Sequence, residues 1–286
     1  MKPFKLKPRE KRVLVLFAIF LAIFGYTRRP WFADHVIESE HYVCHSTATT
    51  EQTQQALQRA EALYSAYQTR FADALLLATD HPLLKLKLYR DRDEFKRFNM
   101  TSGWAEAFYR KPWCHQYISM DEPDPYHWMV HEATHQLNRE VAGLRLPRWL
   151  DEGIAVYFST SRIEDGQVWL GRIDQDTYPI WWLWQLRLTG NMEQDIQQDA
   201  FIPLATIIRD RGGPSINKHF NLYYIHWWSL MHFLHHHEDG RYRKAVPELM
   251  RAKGTHRAFK QSVGPIDTVQ VQWYDYLHSK QYKAHF

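Results

Sequence analysis

At 286 residues, with 45% hydrophobic and 24% charged side chains, the chain can bury a substantial core and is neither disordered nor of low complexity. The formal charge of +4 is mild, and much of it sits at the start, where Lys2, Lys5, Lys7, Arg9, Lys11 and Arg12 face only Glu10. No folded basic surface and no recognition motif remain for nucleic acid, so no nucleic-acid partner is expected.

Residues 13–26, VLVLFAIFLAIFGY, are apolar without interruption and are followed by Thr27-Arg28-Arg29-Pro30. As a helix they span about 21 Å, short of the ~30 Å hydrocarbon core of a bilayer. Lys11, Arg12, Arg28 and Arg29 can snorkel to bridge that difference. A basic head before such a run is also the layout of a secretory signal peptide, but no small-x-small cleavage site follows it. A buried core helix is disfavoured, because every face is apolar and the run sits at the extreme N-terminus. Residues 1–29 are therefore expected to be a cytoplasmic basic tail and an uncleaved membrane-anchor helix. Six basic residues before the run against two after it place the remaining chain outside the cytoplasm, periplasmic if bacterial.

Residues 30–40 read as a linker. A strand is expected at His41–His45 and an amphipathic helix over Thr49–Phe71, capped by Thr49 or Thr50. Leu83–Tyr89 alternates like a strand with one buried face, Asp91–Phe98 reads as a short helix, and His115–Met120 as another strand. Residues 41–122 are thus expected to form a small mixed sheet. The two cysteines, Cys44 and Cys114, contain no CxxC and form no cysteine-based metal site. Outside the cytoplasm they can join as a disulfide, and otherwise they are two free buried thiols.

Residues 123–286 are mainly helical, giving an α+β protein. Asp124-Pro125 signals a helix start, with a capping carboxylate before a proline, and the helix is expected to run to about Val141. A second helix is expected from Pro147 to about Thr160. A hairpin turns at Glu164-Asp165-Gly166, and the longest helical pattern covers Lys218–His237.

The first of these helices carries HEATHQL, residues 131–137. Residues four apart on a helix differ by only about 40° around its axis, so His131 and His135 can present neutral imidazoles to one metal ion. Glu132 lies beside them, placed to deprotonate a zinc-bound water as a general base. A solvated polar helix face matches the same five residues, so the pattern needs support from elsewhere. RWLDEGIAVYF, residues 148–158, supplies it by bringing Glu152 back on a helical hairpin seventeen residues after His135. A catalytic zinc site needs such a third protein ligand and one open position.

HExxH followed by W-L-x-E-G-x-A-x-Y resembles the gluzincin metallopeptidases, and the short spacing is similar to peptidase-MA-like domains. The resemblance is close over residues 127–160 and looser over YYIHWWSLMHFL, residues 223–234. It implies a zincin-like helical domain holding Zn2+, with Glu152 rather than Asp151 as the third ligand. It also implies a peptide or protein substrate. Gluzincins commonly place an acidic residue four positions after the ligand glutamate to orient the first histidine. That position is Val156 here, so another group must hold His131. The resemblance favours Tyr224 over Tyr223 as the donor to a developing oxyanion, while aromatic packing beside Trp227 and Trp228 explains either tyrosine without catalysis. Tyr157 is expected in the core and His127 at the rim of the site. His235-His236-His237 ends the long helix, where cationic side chains suit the negative end of the dipole.

Together these features describe a membrane-anchored zinc metallohydrolase, a peptidase foremost, occupying residues 41–286. The alternative is a non-catalytic binding or scaffold domain whose zinc is structural or vestigial. A third reading, hydrolysis of amide or ester bonds in glycan or lipid, differs only in substrate.

Overall fold

Short apolar runs between residues 35 and 117 build the sheet that supports the site. The computed structural model describes residues 7–27, 30–102 and 105–286. The chain begins with helix α1 (Pro8–Thr27), then strands β1 (His35–Glu38) and β2 (Tyr42–Ser46), helix α2 (Thr50–Phe71), strand β3 (Leu84–Tyr89), helix α3 (Arg92–Phe98), and the hairpin of β4 (Ala107–Arg110) and β5 (Trp113–Tyr117). The sheet order is β1-β2-β3-β5-β4. The central strands β2, β3 and β5 are parallel, and β1 and β4 are antiparallel edges. The mixed sheet expected from the sequence thus forms, but two of its strands were not foreseen. The residues read as a linker contribute the edge strand β1, and β4 is only four residues long, too short to display an alternation.

Helix α2 covers one face of this sheet. Its start is fixed by a capping box: Thr49 Oγ1 accepts from the Gln52 N–H at 3.2 Å, and the Gln52 side chain accepts from the Thr49 N–H at 3.0 Å. Ala56, Leu57, Ala60, Leu63, Tyr64, Tyr67 and Phe71 form its buried stripe at helical spacing. On the core face of the sheet, Cys44 lies in register with Leu86, and Leu86 with Cys114. Strand β3 therefore separates the two cysteines by two strand spacings, roughly 9–10 Å, beyond disulfide reach. Both are free and buried, and burial pushes the Cys44 thiol up to about 12.

The rest is mainly helical: α4 (His127–Gln136), which continues as one π turn over Leu137–Val141, then α5 (Arg148–Ser159). Hairpin β6 (Ser161–Glu164) and β7 (Gln167–Ile173) turns through Asp165 and Gly166, both at positive φ, as the sequence indicated. Helices α6 (Met192–Gln197), α7 (Leu204–Arg209), α8 (Phe220–His236), α9 (Ala245–Arg251), α10 (His256–Ser262) and α11 (Ile266–His278) follow. Trp149, Phe158, Trp228, Phe233 and Trp273 are fully or almost fully buried among them. Helix α5 packs along α8, and the two approach closely at Gly153. A Cβ added there would lie 3.3 Å from the Trp227 carbonyl oxygen and 3.2 Å from Met231 Cε.

Helix α1 coincides with the expected anchor, but the anchor itself does not follow from it. Among the described residues no helix is long and apolar enough to cross a membrane. The apolar run fills only part of α1, whose first turns carry Arg9, Glu10, Lys11 and Arg12.

Candidate metal centre

The site is built where α4 crosses α5. Asp124 does not cap α4 directly. Its carboxylate accepts from the Tyr126 N–H at 3.0 Å and pairs with Arg59 of α2 at 3.0 Å, and the helix begins three residues later at His127. His131 and His135 then project from one face, and Glu152 approaches from α5. The three facing atoms form a small triangle: His131 Nε2 to His135 Nε2 3.2 Å, His131 Nε2 to Glu152 Oε2 3.3 Å, and His135 Nε2 to Glu152 Oε2 3.8 Å. These residues are the one group of three or more among the described residues that could hold a metal ion.

Geometry and charge both fit such an ion. A four-coordinate metal with bonds of 2.0–2.1 Å sets its donors roughly 3.3–3.4 Å apart, close to the spacing of this triangle. Glu152 Oε2 is buried without a formed hydrogen bond, although His131 Nε2 lies 3.3 Å away. A buried carboxylate oxygen left in this state is costly unless a cation completes it. The charges are correspondingly skewed. Burial alone would raise the Glu152 carboxyl, but His131, His135 and Tyr224 together hold it at about 2. Burial alone would lower His135, yet Asp151 and Glu152 raise it to about 10.

Asp151 is the site residue whose part the sequence did not reveal. It is not a donor in the triangle. Its Oδ1 lies 3.3 Å from His135 Nδ1, behind the imidazole, and accepts from Asn138 Nδ2 at 2.8 Å. Asn138 Oδ1 in turn accepts from the Tyr67 hydroxyl at 2.8 Å. Asn138 stands on the π turn after α4, so this chain ties the second histidine to α2 and α5 together. The position four after Glu152 is Val156, fully buried, and the only carboxylate paired with His131 among the described residues is Glu152 itself.

Glu132 faces the same cleft, where its Oε2 accepts from the Tyr109 N–H at 2.8 Å. That N–H belongs to the free edge of β4, so the strand missed in the sequence positions the glutamate. The cleft has a volume of about 770 Å³. One wall is β4, one is α4, and the third is aromatic: Trp128, Tyr178, Phe220 and Tyr224.

The tyrosines separate cleanly. Tyr224 lines the cleft with its ring 6.1 Å from that of His131, and burial together with the Glu152 charge pushes its hydroxyl well above the usual range. Tyr223 donates to the Pro214 carbonyl at 2.9 Å, away from the cleft. Tyr157 is in the core, hydrogen-bonded to His236 at 2.9 Å and stacked on His235. Tyr178, not anticipated, lines the cleft but commits its hydroxyl to Asn221 Oδ1 at 3.1 Å.

Two expectations about histidines are corrected. His127 is not at the rim: it is 1% exposed, with Nδ1 2.9 Å from the Asp124 carbonyl and the ring against Trp128 and Trp181. His235 and His236 are not cations at a helix end. Burial drives His235 well below its usual value and His236 to about 3, so both are neutral and packed inside.

Residues 128–253 match the family model described as "Protein of unknown function (DUF1570)". The matched stretch covers less than half of the chain but includes His131, Glu132, His135, Glu152 and Tyr224. No curated protein matches the chain.

Proposed function

We propose that this chain is a zinc-dependent metallohydrolase of zincin-like architecture, a peptidase foremost, with His131, His135 and Glu152 as metal ligands. The carrying observation is the convergence of three donors, 3.2–3.8 Å apart, beside Glu132 in an open cleft. When bound, zinc supplies a Lewis acid that polarises a carbonyl and acidifies water.

The chain's own groups supply the rest. Tyr109 holds one oxygen of Glu132, which fixes the carboxylate and leaves its second oxygen to take a proton from the attacking water. Tyr224 remains protonated at neutral pH and donates to the oxygen on which negative charge develops. Glu132 then returns the proton to the leaving group. Asp151 lies 3.3 Å behind the His135 ring, placed to orient it when the metal binds. Attachment to a membrane through α1, with residues 30–286 outside the cytoplasm, belongs to the same proposal. Its check is a topology reporter after Phe286, and a cytoplasmic signal removes it.

Glu132→Gln separates this reading from a metal-stabilised binding module, which Val156 at the orienting position favours. The variant keeps shape and loses the base. Hydrolysis of a broad peptide library is expected to fall ~10²–10⁴-fold while metal content and melting temperature are unchanged. Equal hydrolysis by both proteins removes the catalytic role of Glu132.

A further inference from the structure

One end of the cleft carries charge that the proposed reaction does not use. Lys111 in the β4–β5 turn, Arg139 one helical turn beyond His135, and Arg145 in the α4–α5 connection all line it. They gather at the C-terminal end of α4: the Pro112 carbonyl beside Lys111 accepts from Gln136 Nε2 at 3.0 Å, and the Tyr109 hydroxyl reaches Glu140 at 3.0 Å. Lys111 and Arg145 are exposed and Arg139 is half-buried. None of the three makes an ion pair or a side-chain hydrogen bond among the described residues.

The acidic groups lining the cleft are, by contrast, committed, except for the base Glu132. Glu106, at the opposite end, is held by Arg92 at 2.8 Å, by Lys96 at 3.3 Å and by the Tyr117 hydroxyl. Asp151 is held by Asn138 and Glu152 faces the two histidines, while Glu132 gives one oxygen to the Tyr109 amide and keeps the other for the proposed reaction. Glu140, next to Arg139, lies outside the cleft and takes bonds from Tyr109 and from Gln136 at 3.2 Å. Glu132 apart, the uncommitted charge in the cleft is therefore cationic, and it lies to one side of the metal triangle. Lone exposed cations are ordinary on a surface. Three around one cleft end, with a half-buried guanidinium lacking an anion, are a poor arrangement for the free chain and a good one for a bound carboxylate.

We infer that Lys111, Arg139 and Arg145 form a subsite for a carboxylate on the substrate, so that the cleft selects anionic peptides over neutral ones. The inference rests on the cleft being a substrate groove, as proposed above. It names the selectivity that groove has, whether the carboxylate comes from a side chain or from a chain end.

The test is binding, read apart from turnover. Full-length protein carrying Glu132→Gln is titrated with three peptides of one backbone, each bearing an uncharged fluorophore. One is amidated and contains Glu-Glu, the second is amidated with Gln-Gln, and the third has Gln-Gln and a free C-terminal carboxylate. At low salt a carboxylate-bearing peptide is expected to bind on the order of tenfold tighter than the neutral one. Whichever of the two gains affinity identifies the carboxylate source. The preference should shrink at high salt and in Arg145→Glu, whose exposed position leaves the melting temperature unchanged, and vanish in Lys111→Gln/Arg139→Gln/Arg145→Gln. No carboxylate preference, or one that survives in Lys111→Gln/Arg139→Gln/Arg145→Gln, overturns the inference. Hydrolysis by the wild-type protein is scored separately. Intact hydrolysis without the preference removes the subsite alone, and the preference without hydrolysis removes the catalytic reading alone.

Discussion

An imidazole makes a good metal ligand when its second nitrogen is held by a partner that fixes ring orientation and tautomer. For His135 the group in that place is Asp151, 3.3 Å from Nδ1 without a formed hydrogen bond and itself held by Asn138 and Tyr67. Asp151→Asn is expected to weaken metal binding ~10–100-fold in a chelator competition, with little change in fold. Unchanged affinity would show that the ring is held by packing alone. The donors His131, His135 and Glu152 were legible because a four-residue helical spacing and a returning glutamate are local facts of sequence. The part played by Asp151 was not, because it depends on a π turn that carries Asn138 across to α5, and no periodicity announces that turn.

At the level of elements, the long amphipathic and capped segments were readable. Helix α2 starts at its capping box, α5 follows Pro147, and α8 lies within the longest helical pattern. What escaped was β4, a four-residue edge strand whose Tyr109 amide holds Glu132; its place is set by pairing with β5 rather than by its own pattern. Gly153, next to Glu152 of the candidate centre, had a reason that only the packing shows: it lets α8, with Tyr224, close on α5. Gly153→Ala must push against the Trp227 carbonyl, which is backbone and cannot rotate away. We expect a loss of about 1–3 kcal/mol in urea unfolding, together with weakened metal binding as α5 shifts. A fully tolerated alanine would mean that the two helices have room to part.

Across the whole molecule, buried neutral histidines make the fold sensitive to acid. Burial first, with Lys87 and Arg110, holds His115 at about 3. Burial with His285, Arg243 and Arg70 holds His236 at about 3, and burial, partly opposed by the Leu222 carbonyl, puts His226 at about 4. Unfolded histidines bind protons near pH 6.5, so between about 6.5 and 4 the unfolded chain takes up protons that the folded chain refuses. The contribution of these three histidines is therefore expected to be full above that window and to fall by about 2–4 kcal/mol per pH unit within it, as read by denaturant midpoints. A flat profile from pH 7 to 5 would contradict the buried, neutral assignment.

The candidate metal centre is where these scales meet, since α4, α5 and the network to α2 all converge on His131, His135 and Glu152. Elemental analysis of the purified full-length chain after zinc loading and removal of excess metal tests it most directly. Close to one zinc per chain is expected, falling toward zero in His131→Ala, His135→Ala and Glu152→Ala. A wild-type chain that holds no zinc, or a Glu152→Ala chain that holds it fully, would contradict the proposed centre.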